Sequence, residues 1–190
     1  QSLAGKFMGN QLHYYKEIGS TNDEAFRLGM GGAPEGTLLI AESQSAGKGR
    51  MQRVWHSPAG TNIYASIILR PTFEPSSAPQ ISIAAGVAVA ETLNLYCPGR
   101  VYLKWPNDVL IGAKKVCGIL AQMKMSKSAI DFVIVGIGVN VNMNYEQFPE
   151  DIQAIATSMA METGLEISRP ELIISLYENL TKCYKQLQQN

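Results

Sequence analysis

Apolar and polar positions alternate closely enough over residues 12–18 to predict a strand, which Gly19 ends. Ser20-Thr21-Asn22-Asp23-Glu24 then opens a helix to about Met30, before Gly31-Gly32, and Thr21 with Glu24 three residues later fits a capping box. The apolar run Thr37–Ala41 predicts a second strand, and residues 62–69 a third. Residues 80–96 carry no charge before Glu91 and predict a helix buried on most of its surface. A strand at Val101–Lys104 follows, then a hairpin of residues 109–111 and 116–125 turning through 112–115. Residues 131–141 are almost continuously apolar and predict a central strand buried on both faces, with Gly136 and Gly138 admitting a close neighbour or ligand. Residues 153–163 predict a helix stopped at Gly164. Ser168 with Glu171 fits another capping box, opening a helix to about residue 189 whose core stripe is Leu172, Ile173, Leu176, Leu180, Tyr184 and Leu187.

The 190 residues suit a single domain over residues 1–190, large enough to bury a substantial core. Sixteen acidic and sixteen basic residues cancel, which argues against a general nucleic-acid-binding face and makes any cationic cluster a local feature. Apolar runs are too short to span a bilayer and no signal-peptide pattern is present, so a cytoplasmic protein is expected. Cys97, Cys117 and Cys183, odd in number and far apart, fit reduced thiols, with Cys117 as packing. His13 and His56 belong to no cluster with metal-ligand spacing, so no protein-held metal is expected. His56-Ser57 lacks the nucleophile elbow of a hydrolase.

Against this neutral background residues 44–55, Gln-Ser-Ala-Gly-Lys-Gly-Arg-Met-Gln-Arg-Val-Trp, form a loop leaving a strand with three cations and two glycines. Gly47 and Gly49 let main-chain N–H groups approach a ligand, while Lys48, Arg50 and Arg53 supply charge. A P-loop would need Gly at Glu42 and Ser or Thr at Gly49; a dinucleotide fingerprint fails at Gln52 or at Val141. Lys104-Trp105-Pro106-Asn107-Asp108 is the second informative stretch, a strand end shaped by proline before two polar side chains. Taken alone, each stretch also reads as an ordinary surface loop or turn, Thr21 and Glu24 as a plain helix cap, and Asn140 as a turn former.

Ser20-Thr21-Asn22, residues 44–55, Lys104-Trp-Pro-Asn-Asp108 and Gly136-Ile-Gly-Val-Asn140 occur in the order and approximate spacing of biotin protein ligases. The resemblance covers residues 12–187. It implies an α+β fold similar to class II aminoacyl-tRNA synthetases, a mixed, largely antiparallel sheet flanked by helices. It implies ligation in two steps: biotin and ATP give biotinyl-5′-adenylate and pyrophosphate, and a lysine of a biotin carboxyl carrier domain then takes the biotinyl group. By resemblance Lys104 and Arg50 are catalytic. Ser20, Thr21, Asn22, Gln44, Gly47, Lys48, Gly49, Arg50, Lys104 and Gly118 bind biotin, and Arg50, Arg53, Trp55, Asn107 and Asn140 bind ATP or adenylate. Mg²⁺ arrives with ATP, and a homodimer is expected from some relatives.

The family loop is often Gly-Arg-Gly-Arg-x-Gly-Arg-x-Trp; here Lys48 stands for the first Arg and Gln52 for the third Gly. Lys48 keeps the charge without the bidentate grip. The resemblance is to the catalytic core, without a DNA-binding winged helix before it or a β-barrel after it, so no repressor role is expected. Three alternatives stay open: a lipoate or octanoate ligase or transferase on the same fold, a ligand-binding module without catalysis, and, more distantly, a nucleic-acid-binding protein.

Overall fold

A computed structural model describes residues 7–189. Seven strands, β1 (Gln11–Tyr15), β2 (Thr37–Ala41), β3 (Ile63–Leu69), β4 (Val101–Lys104), β5 (Asp108–Ile111), β6 (Lys114–Ser126) and β7 (Ala129–Val139), form one sheet in the order β1-β2-β3-β7-β6-β5-β4. Only β1–β2 is parallel. The helices are α1 (Thr21–Met30), α2 (Pro79–Asn94), α3 (Met159–Thr163) and α4 (Arg169–Gln188). This is the mixed, largely antiparallel α+β architecture that the family resemblance implies.

Period-two alternation decides which residues meet which layer. Ile63, Ala65, Ile67 and Leu69 of β3, with Val133, Val135, Ile137 and Val139 of β7, join the main core with Ile81, Ala85, Val89, Leu172, Leu176, Tyr177 and Leu180 of α2 and α4. The alternate positions, Ile68 of β3 and Phe132 and Ile134 of β7, pack with Ala25 of α1 and Leu39. Further along that second face the apolar pattern stops: Ile68 gives way to Ser66 and Tyr64, and Phe132 and Ile134 give way to Gly136 and Gly138. There the sheet surface is left small and polar. The N-terminus of α1 lies against it.

The central strand and the α4 stripe form as expected, although Leu187 is only partly buried. The first strand stops at Tyr15, and Ile18 makes an isolated parallel bridge to Gln44 instead. Thr21 and Glu24 do not form a capping box: Ser20 is the N-cap, Thr21 bonds Gln44, and Glu24 pairs with Arg27. Ser168 caps α4 by position but makes no side-chain cap bond. The helix expected over 153–163 is confined to Met159–Thr163, because the Lys115 N–H donates to the Ile155 carbonyl (2.8 Å) and the Thr157 N–H to the Lys115 carbonyl (2.9 Å). Those backbone groups extend the sheet edge and cannot also serve a helix. Gly164, at φ 73, ends α3 as expected. The α2 helix is buried along one side, with Ile83 exposed.

Candidate active site

Two connected hollows lie over the polar part of the sheet. The inner one, about 50 Å³, is lined by Ser20, Thr21, Asn22, Gln44, Trp55, Tyr64, Lys115, Gly118, Gly136 and Gly138, among others. The outer one is an open cleft of about 1000 Å³ between the basic loop, the start of α2, Trp105-Pro106 and β6. Lys48, Gly49, Arg50, Asn107 and Ile119 line both, so the two hollows share a wall that carries two cations.

The inner hollow is held by a continuous polar network. The Thr21 N–H donates to Gln44 Oε1 (2.8 Å), Gln44 Nε2 donates to Ser57 Oγ (3.0 Å), and Ser57 donates to the Trp55 carbonyl (2.9 Å). Asn22 Nδ2 donates to the Leu120 carbonyl (3.2 Å) and to Gln122 Oε1 (3.0 Å), while its Oδ1 lies 2.7 Å from Ser66 Oγ. Both ends of the Asn22 amide are thereby committed within the protein. Gly136 makes this possible, since a Cβ there would stand 1.9 Å from Asn22 Oδ1. Tyr64 donates to the Pro58 carbonyl (2.9 Å), and burial pushes its phenol far above the ordinary value, so it stays a neutral donor.

Residues 47–55 fold back on themselves as a small hairpin. Lys48 and Val54 bridge antiparallel, Trp55 N donates to the Gly47 carbonyl (2.9 Å), and Arg53 N to the Arg50 carbonyl (3.2 Å). Its central residues, Met51 and Gln52, have φ of 54° and 61°. Positive φ at both is the mark of the type I′ turn, where Asn-Gly is favoured and Met-Gln is not. The Lys48 Nζ reaches Asp23 (2.7 Å), and Arg50 Nη1 donates to Asn107 Oδ1 (3.0 Å). Asn107 is fixed in turn by donating to the Ile119 carbonyl (3.1 Å). The Trp105–Pro106 bond before it is cis.

Most residues singled out in the sequence come together here: Ser20, Thr21, Asn22, Gln44 and Gly118 at the inner hollow, Lys48, Gly49, Arg50 and Asn107 at the shared wall, and Gly47 and Arg53 in the outer cleft. Three of the residues are placed apart from these. Trp55 lines the inner hollow, its indole close over Gly118 and Gly138, where an added Cβ would lie 2.8 and 2.5 Å from the ring. Its Nε1 is buried without a hydrogen-bond partner among the described residues. Asn140 lines neither hollow, because its amide is spent on the Thr157 carbonyl (3.0 Å). Lys104 ends β4 exposed and likewise lines neither.

Beside Lys48 and Arg50, the inner hollow has a third cation, Lys115, which sequence reasoning left in a turn. Its Nζ stands 2.6 Å from Asp108 Oδ1 and 5.3 Å from the centre of the Trp55 ring. The available signal was the tight turn between β5 and β6, which pairs Lys115 with Leu110, two residues along β5 from Asp108. Ser57, Tyr64, Ser66 and Gln122 were missed as well, since only the pairing of distant strands makes them neighbours. No group of three or more His, Cys, Asp or Glu able to hold a metal ion occurs among the described residues, and none of their helices is long and apolar enough to cross a membrane.

Residues 14–140 match the biotin/lipoate A/B protein ligase family. The chain is similar to the bifunctional ligase/repressor BirA of Bacillus spizizenii, 40% identical over 183 residues covering 96% of this chain and 56% of that protein. It is similar to the biotin--[acetyl-CoA-carboxylase] ligase of Mycobacterium tuberculosis, 39% identical over 154 residues covering 78% and 54%. The chain thus spans about half the length of the curated relatives it matches. Among solved structures it is similar to the biotin protein ligase from Aquifex aeolicus in complex with biotin and ATP, with a TM-score of 0.80 and 35% identity over 94% of this chain and 72% of that one.

Proposed function

The chain belongs to the biotin/lipoate A/B protein ligase family, and from that premise we propose that it is the catalytic core of a biotin protein ligase, joining biotin to a lysine of a biotin carboxyl carrier domain with ATP. The observation that carries this reading is the cationic wall shared by a small, polar inner hollow and a large, open outer cleft. A reaction between two anions needs such a meeting place. A carboxylate about 4 Å from a phosphate is repelled by on the order of 4 kcal/mol at an effective dielectric near 20.

In this reading the ureido ring sits in the inner hollow against Ser20, Thr21 and Gln44. Asn22 acts as the brace of that hollow. The carboxylate points to Lys115 and the shared wall, and the triphosphate lies in the outer cleft along Arg50 and Arg53, with Asn107 fixing Arg50. The carboxylate oxygen attacks the α-phosphorus, the bond to the bridging oxygen breaks, and pyrophosphate leaves. The amine of the carrier lysine then attacks the acyl carbon, AMP leaves, and the amine loses its proton. Lys115, Lys48 and Arg50 offset charge that grows at the phosphorus, where fixed cations count most. Mg²⁺ supplies further charge neutralisation when bound to the triphosphate. The hairpin over residues 47–55 keeps water from the mixed anhydride.

Incubating the protein with biotin, ATP, Mg²⁺ and a carrier domain tests the reading by the carrier's mass. The expected result is one biotinyl addition that requires ATP. Modification by lipoate or octanoate in preference to biotin, or none by a folded protein that binds biotin, would overturn it.

A further inference from the structure

Ser66 is fully buried at the middle of β3, directly paired with Gly136 of β7. Its hydroxyl touches two residues of the inner hollow: Thr21 Oγ1 at 2.8 Å and Asn22 Oδ1 at 2.7 Å. The protons in this cluster can be assigned by elimination. Asn22 Nδ2 must face the Leu120 carbonyl, so Oδ1 faces Ser66, and an amide oxygen only accepts. The one Ser66 proton therefore goes to Asn22. Gln44 Oε1 is fixed as an acceptor by the Thr21 N–H. The Thr21 hydroxyl, 3.1 Å from Gln44 Oε1 and 2.8 Å from Ser66 Oγ, has two acceptors for its single proton, and both lie inside the protein. Whichever takes it, what Thr21 has left for the inner hollow is a lone pair.

We propose that Ser66 is a specificity-determining positioning residue: by giving its proton to Asn22 it fixes Thr21 as an acceptor facing the inner hollow, which selects a ring ligand that carries an N–H. The inference rests on the biotin reading, where that donor is a ureido N–H. A ring with sulfur or ether oxygen at this place offers Thr21 no proton and leaves a buried lone pair unmatched, the kind of loss by which a polar site rejects an analogue.

Calorimetric binding of biotin and of its two cyclic carbamate analogues, each with one ring N–H replaced by oxygen, tests this in wild type and Ser66→Ala. Wild type should favour biotin over at least one carbamate by about tenfold or more. In Ser66→Ala the Thr21 hydroxyl keeps only the longer contact to Gln44 Oε1 (3.1 Å) and turns more readily to donate into the hollow, so that preference should shrink by about tenfold while ATP binding is unchanged. A loss shared equally by biotin and the carbamate would mark Ser66 as merely structural and overturn the proposal, as would an unaltered preference. If the alanine variant does not fold, Ser66→Cys, slightly larger and a weaker donor, should show a smaller preference than wild type. A wild type that binds no biotin overturns the ligase reading itself and this inference with it.

Discussion

Around the inner hollow the side chains of Thr21, Asn22, Gln44, Ser57 and Ser66 are tied into one hydrogen-bonded chain on the floor of the sheet. The hairpin over residues 47–55 is held to the rest of the site by Lys48–Asp23 and Arg50–Asn107, and at its tip Met51 and Gln52 adopt left-handed backbone while Met51 and Val54 are exposed. The first region has little freedom to lose when a ligand arrives. The second has unfavourable backbone, of roughly 1–2 kcal/mol per left-handed residue, and one weak exposed ion pair, Lys48–Asp23. In the proposed reading, the contrast teaches that recognition and closure are carried by different physics: a preorganised network for the ring, and a strained hairpin over the reacting atoms. From its strain and exposure we expect the hairpin to be the part that opens.

The largest effect on biotin affinity should come from breaking the floor. Gly136→Ala puts a Cβ 1.9 Å from Asn22 Oδ1, so the Asn22 side chain must move. We expect a stability loss of about 1–3 kcal/mol and a fall in biotin affinity on the order of a hundredfold, read by denaturant melts and calorimetry. Gly118→Ala should do less, because the nearest atom is on the edge of the Trp55 ring, which belongs to the movable hairpin.

A smaller and opposite effect is expected in the hairpin. Gln52→Gly removes the Cβ at φ 61° and should favour the closed form by about 1 kcal/mol. Enzyme-bound adenylate, followed by filtration after a chase, should then be retained about fivefold longer, with initial biotin affinity nearly unchanged. Equal gains in both would show that the two regions act as one.

The smallest effect lies on the outer side of α1. A hydrogen bond from Arg27, the largest cause, holds the Glu24 carboxyl below its ordinary value. A depressed folded value means stability that is present above the unfolded carboxylate range and lost as pH falls through the folded one. Wild type should therefore melt about one degree above Glu24→Gln at pH 7, with the gap closing as pH is lowered from about 5 through the carboxylate range.

Strands and helices with long one-sided patterns were legible in the chain: β7 because it is apolar on both faces, and α4 because its stripe keeps helical spacing. What failed was decided by partners far away in sequence. Residues 155–157 read as helix until Lys115 offers them a strand edge, and Thr21 reads as a cap until Gln44, 23 residues on, takes its N–H. The site followed the same rule. The basic loop and Ser20-Thr21-Asn22 were visible as motifs, but Ser66 and Lys115 gain meaning only from the register of β3 on β7 and of β5 on β6. Lys104 carried the motif's charge, while the geometry puts Lys115 at the hollow.

The most direct test of this account is biotin-dependent exchange of pyrophosphate into ATP by wild type, Lys115→Ala and Lys104→Ala, each confirmed folded. The expected result is exchange by wild type, a loss on the order of a hundredfold to a thousandfold in Lys115→Ala, and a smaller loss in Lys104→Ala. No exchange by wild type, or a greater loss from Lys104→Ala than from Lys115→Ala, would contradict it.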